Sequence, residues 1–114
     1  MLLIVEPRGQ RHTRTEAEGK AVYARMLDFA GTLRQRGVLR GAQSLRADDE
    51  SVRVQVRAGR QSLVDGPFAE AKEMVGGYFI VDVASRDEAI AIAAEIPAAE
   101  WATVEVREFG PCFT

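Results

Sequence analysis

The chain opens on an apolar run, Met1-Leu2-Leu3-Ile4-Val5, that stops at Pro7. A short apolar stretch bounded by proline predicts a buried strand over residues 1–6. After a polar loop, Thr15 precedes Glu18 by three positions. At that spacing the hydroxyl accepts the Glu18 N–H while the carboxylate bonds back to the Thr15 N–H, so a helix is expected to start here. Val22, Met26, Phe29 and Leu33 then recur at helical spacing, with Arg25, Asp28, Thr32 and Gln35 on the other side, and Gly37 is placed to end the helix. Beyond it the period changes to two. Strands are expected over residues 38–45, 52–57 and 61–64, with Val52, Val54 and Val56 alternating with Arg53, Gln55 and Arg57. Asp48-Asp49-Glu50 and Ala58-Gly59-Arg60 supply the turns between them. A strand over 78–83 leads to a second helix, opened by Ser85 with Glu88, faced by Ala89, Ile90, Ala93, Ala94 and Ile96, and stopped by Pro97. A last strand is expected over residues 102–109, where Val104 and Val106 alternate with Glu105 and Arg107.

This order contains two strand–helix–strand crossovers, which place helices on one face of a mainly antiparallel sheet. The expected fold class is α+β, a ferredoxin-like sandwich forming one domain over residues 1–114. Helices on one side leave the second face of the sheet to be polar or covered. Tyr78, Ile80 and Asp82 fall on one face and Phe79, Val81 and Val83 on the other, so both faces carry apolar side chains. A homodimer packed sheet to sheet is the expected consequence.

Composition supports one domain with a modest core: 114 residues, 46% hydrophobic and 28% charged. No apolar run approaches the ~20 residues of a membrane span, and the first residues lack the basic flank and cleavage site of a signal peptide, so a cytoplasmic protein without membrane contact is expected. Cys112 is the only cysteine and His12 the only histidine. No disulfide can form within the chain, and neither a metal site nor a cofactor is expected. The formal charge is −2. Residues 34–60 carry seven arginines against three acids, and residues 65–108 carry ten acids against three basic residues. Folding is expected to let these segments neutralise Arg34, Arg36, Arg40, Arg46, Arg53, Arg57 and Arg60, leaving no uncompensated basic face for direct nucleic-acid binding.

The candidate chemistry is concentrated in Asp65-Gly66-Pro67-Phe68-Ala69-Glu70-Ala71-Lys72-Glu73. One reading is structural. Asp65 and Gly66 turn the chain, Pro67 takes the first helical position, and residues 69–74 make one or two helical turns closed by Gly76. The other reading is functional. The turn aims the Asp65 carboxylate into a cavity as general acid or base, with Glu70, Lys72 or Glu73 as partner or substrate clamp and Tyr78 as a hydrogen-bond donor. Gly66, Pro67 and Phe68 would then shape a ligand site. Gly76-Gly77 leads into a strand and not a helix, so it is no phosphate loop.

The same run, followed by Gly76-Gly77-Tyr78-Phe79, Asp82-Val83 and Asp87-Glu88-Ala89, resembles the DGPF branch of the YCII-related proteins. Met1-Leu2-Leu3-Ile4-Val5, Gly41-Ala42-Gln43-Ser44-Leu45 and Val104-Glu105-Val106-Arg107 extend the likeness over most of the chain. The resemblance implies a dimeric α+β barrel with a cleft near the dimer interface, in which a histidine and an aspartate act on a small organic molecule. Asp65 matches the aspartate. The histidine does not carry over, because the corresponding part of the first helix reads Val22-Tyr23-Ala24-Arg25, and His12 lies before that helix. The resemblance also implies an alternative, non-enzymatic role beside an extracytoplasmic-function sigma factor.

Overall fold

The computed structural model describes residues 1–113. Six strands and two helices follow in the order β1 (Leu2–Pro7), α1 (Glu16–Gln35), β2 (Leu39–Ser44), β3 (Val52–Arg57), β4 (Arg60–Asp65), β5 (Glu73–Val81), α2 (Arg86–Glu95) and β6 (Thr103–Val106). Single 3-10 turns at Gln10–Thr13, Asp48–Glu50 and Pro97–Glu100 join them. The chain is therefore mixed α+β, as its periodicity requires.

The main sheet has the order β2-β5-β1-β6, and every neighbouring pair is antiparallel. In both crossovers the helix connects strands that are separated by one other strand, β1 to β2 across β5 and β5 to β6 across β1. Leu2, Ile4 and Phe79 share one face because directly opposed residues point the same way, and Leu2 pairs with Phe79. These side chains meet Ala30 and Leu33 of α1 and Ile92 and Ala93 of α2 in one core, which Ile96 and Ala98 complete. Leu2, Leu33, Ile92 and Ile96 are fully buried. Phe29 stands edge-on to Phe79, with ring centroids 6.0 Å apart.

The helix ends follow local chemistry. Thr15 and Ser85 each accept the N–H three residues on, at 3.1 Å. The reciprocal half of each capping box differs from expectation. The Glu18 carboxylate accepts the Thr15 hydroxyl, and Glu88 accepts the N–H of Ala84, one residue earlier than its cap. At the end of α1, Gly37 has φ +76°; its N–H reaches the Arg34 carbonyl and the Val38 N–H reaches that of Leu33. This is the Schellman arrangement that glycine favours.

β3 and β4 form a separate ribbon, closed by Ala58 and Gly59, both at positive φ. All twelve of its residues are exposed. The principal extents of 46 × 42 × 19 Å describe a flat molecule, two layers thick. Among the described residues no helix is long and apolar enough to cross a membrane.

Three expectations fail. Residues 69–74 do not form helical turns: Ala71 N–H closes one turn on the Phe68 carbonyl, and β5 already begins at Glu73. Pro67 does not open a helix either, because the Gly66–Pro67 peptide is cis. The last strand stops at Val106, three residues short of the expected end.

Candidate functional site

α1 lies over the main sheet but does not seal against it along its whole length. Gly19, Val22, Tyr23, Met26, Leu27, Ala30 and Arg34 recur three and four residues apart on the face turned towards β2. Beneath them a cleft of about 410 Å³ runs over Ile4 and Glu6 of β1, Ala42 and Ser44 of β2, and Gly77 and Phe79 of β5. The small residues Gly19, Ala30, Ala42 and Gly77 create this space, since none fills the gap between helix and strands. Tyr23, Leu27 and Leu45 stand at the rim, 45%, 59% and 44% exposed.

One end of the cleft is built from Glu6 and Arg11, the latter in the 3-10 turn after β1. Glu6 is the buried charged residue of the described chain, 5% exposed. Arg11 Nε donates to its Oε1 at 2.8 Å, and Nη2 contacts the same oxygen. Nη1 donates to the carbonyl of Leu45, and Nη2 also reaches that of Gly76. A buried carboxylate left unpaired would be strongly destabilising, so the pairing is a condition of the fold. A shift in the β1–β5 register between Ile4 and Val5 leaves Gly76 as an extra residue directly beneath the pair. A Cβ there would strike the Glu6 carboxyl and lie 2.9 Å from Arg11 Nη2.

Arg14 and Trp101 stand beside this pair. The indole is flanked by the Arg14 guanidinium at 5.6 Å and by that of Arg25 at 5.4 Å, both within cation–π range. Arg25 is also held by a two-pronged pair with Glu100, which keeps the Glu100 carboxyl below its usual range. Arg14 has no such acid. Among the described residues neither Arg14 nor Arg34 forms an ion pair, whereas Arg36, Arg40, Arg46 and Arg53 pair with Glu95, Asp82, Glu50 and Glu70. Complete neutralisation of the arginine-rich segment is therefore not found, since Arg34, Arg57 and Arg60 are without a carboxylate among the described residues.

The Asp65 motif lies elsewhere. Asp65 ends β4 opposite Val52 and is exposed, and its carboxylate makes no hydrogen bond or ion pair among the described residues. Gly66 donates to the Ser51 carbonyl at 2.7 Å, and any Cβ on it would collide with the main chain at Asp48. Phe68 is buried, with the Arg53 guanidinium 3.7 Å above its ring, and Arg53 reaches Glu70. Lys72 offers its carbonyl to Arg8 N–H, and Glu73 opens β5 opposite Pro7. Asp48 gathers this region. Its two oxygens accept Arg8 Nε and Nη2 at 2.9 and 3.1 Å, and it also accepts the Phe68 N–H. The Arg8 guanidinium holds the Asp48 carboxyl below its usual range.

Of the residues singled out in the sequence, Tyr78 borders the cleft, at its main chain, because alternation turns its ring to the opposite sheet face with Leu3. Pro67 borders a second, smaller hollow with Arg8, His12 and Asp48. Asp65, Gly66, Phe68, Glu70, Lys72 and Glu73 line neither. His12 is exposed, its Nε2 3.8 Å from Asp49. Sequence reasoning missed Glu6, Arg11, Arg14 and Trp101. The available signal was Glu6 itself, an acid in register with Leu2 and Ile4 on an apolar strand face. Val22 and Tyr23, where the resemblance would place a histidine, both line the cleft.

Part of the chain is similar to the uncharacterized protein R00369 of Rhizobium meliloti (strain 1021), with 44% identity over 52 residues. That match spans 44% of this chain and 42% of the relative, so the relative's length is less than half covered. The model of the YCII-related domain matches residues 2–111, nearly the entire chain. The protein belongs to the YCII-related domain family.

Proposed function

We propose that this protein binds a small organic molecule in the cleft between α1 and the main sheet. The observation that carries this reading is the cleft itself: apolar walls closed at one end by a spent ion pair, with a second guanidinium beside it that has no acid. A concave apolar site with a few convergent polar groups is the usual form of a small-molecule site. With the β2-β5-β1-β6 order, the two helices on one face support the ferredoxin-like reading of the fold.

The same reading includes a homodimer. Val52, Val54, Val56 and Leu63 share one face of the β3–β4 ribbon and are each at least half exposed. A two-stranded ribbon is marginal in water unless something packs on it. A second copy would cover that face, and Asp65, which shares it, would then stand at the interface. Acid–base chemistry by Asp65 belongs to that assembled state, because within one chain it lies outside the cleft.

The test uses Gly19→Leu. A Cβ at Gly19 meets nothing within 4 Å, and the position lines the cleft. Leucine in a helix interior is favoured over glycine by about 0.5–1 kcal/mol. The variant should therefore be more stable yet lose ligand. Trp101, the only tryptophan, reports occupancy by its fluorescence. Quenching by a panel of small organic acids in the wild type, absent in Gly19→Leu, is the expected result. Equal quenching in both proteins places the ligand elsewhere.

A further inference from the structure

We infer that the ligand of this cleft is an elongated aliphatic carboxylate, its head on Arg14 and its chain laid along α1. This rests on the cleft being the binding site.

Length is the first argument. The lining positions on α1 run from Gly19 to Arg34, about 22 Å at 1.5 Å per residue. Spread over that distance, about 410 Å³ makes the cleft long for its width, a shape that suits an extended chain. The walls along this run are Val22, Met26, Ala30 and Phe79. Met26 adds an unbranched side chain that adapts to a flexible tail.

Charge is the second. The cleft contains one carboxylate, Glu6, and Arg11 is already paired with it and hydrogen-bonded to two carbonyls. Arg14 is only partly exposed and stacks on Trp101, an arrangement that orders its planar fork. Its geometry suits two-pronged recognition of a carboxylate. Arg34, at the far end, is exposed and makes no comparable stack, so the tail and not the head runs towards it. An ammonium head would meet the unpaired guanidinium of Arg14 and is disfavoured by repulsion.

The experiment titrates Trp101 fluorescence with hexanoate, octanoate, decanoate, dodecanoate and decanol, against wild type, Arg14→Gln, Arg34→Gln and Gly19→Leu. Affinity is expected to rise about fourfold per added methylene. Decanoate should bind at least tenfold tighter than decanol to the wild type and lose that advantage in Arg14→Gln but not in Arg34→Gln. Affinity independent of chain length, or decanol binding as well as decanoate, overturns the inference while leaving the cleft as the site. If decanoate also binds Gly19→Leu undiminished, the cleft reading fails with it.

Discussion

At the scale of single residues, Asp48 and Gly76 matter more than the composition suggested. Asp48 ties the start of the chain to the base of the β3–β4 ribbon through Arg8 and Phe68 N–H. Its folded pKa is depressed by Arg8, so its contribution to stability is fully present above the ordinary aspartate value, about 4, and is lost as pH falls through the depressed one. Asp48→Asn should lower the melting temperature at neutral pH and flatten its decline in acid, wild type and variant converging below the depressed value. A parallel decline in the two proteins would show that Arg8 and Asp48 are not coupled. Gly76→Ala should destabilise by about 1–3 kcal/mol in urea unfolding, because the new methyl meets the Glu6 carboxyl and Arg11. In a Glu6→Ala background the cost of Gly76→Ala should shrink, and strict additivity would contradict the contact. Neither residue was legible beforehand. A turn acid and the first of two glycines acquire their partners only when segments more than thirty residues apart meet.

At the scale of elements, local signals were read well wherever they were local. The Thr15 and Ser85 caps, the Gly37 stop and the valine alternation of β3 all came from neighbours in sequence, and each element formed where those signals placed it. The Asp65 motif was misread as a helix start because Pro67 and the Glu-Ala-Lys-Glu run have helical character by themselves. Tertiary bonds won instead: Gly66 N–H is taken by Ser51, and Lys72 carbonyl by Arg8, so the segment joins the ladder at Glu73. The ribbon is the element whose sequence most needs a partner. Val54 and Leu63 face each other across it. Val54→Lys combined with Leu63→Glu keeps an attractive cross-strand pair while making the face charged. By light scattering at micromolar concentration the wild type should be dimeric and the double variant monomeric, with the core intact by near-ultraviolet circular dichroism. A monomeric wild type would overturn the homodimer.

At the scale of the whole molecule, the two crossovers explain why a cleft exists. α1 spans from the β1 end to the edge strand β2 and rests on small residues, Ala42 and Gly77, at its N-terminal half, while Leu33 is fully buried near its C-terminal end. The α+β class could be read from the order of elements, but the cleft could not, because it depends on which glycines and alanines face each other across two layers. The ionisable cluster drew attention to residues 65–73, whereas the enclosed space lies beneath residues 19–34. The most direct test is amide chemical-shift mapping of the isotope-labelled protein during titration with aromatic and aliphatic acids in turn. Shifts centred on Val22, Met26, Ala30, Ala42 and Gly77 are predicted. Shifts confined to residues 65–73, with α1 unmoved, would contradict the account.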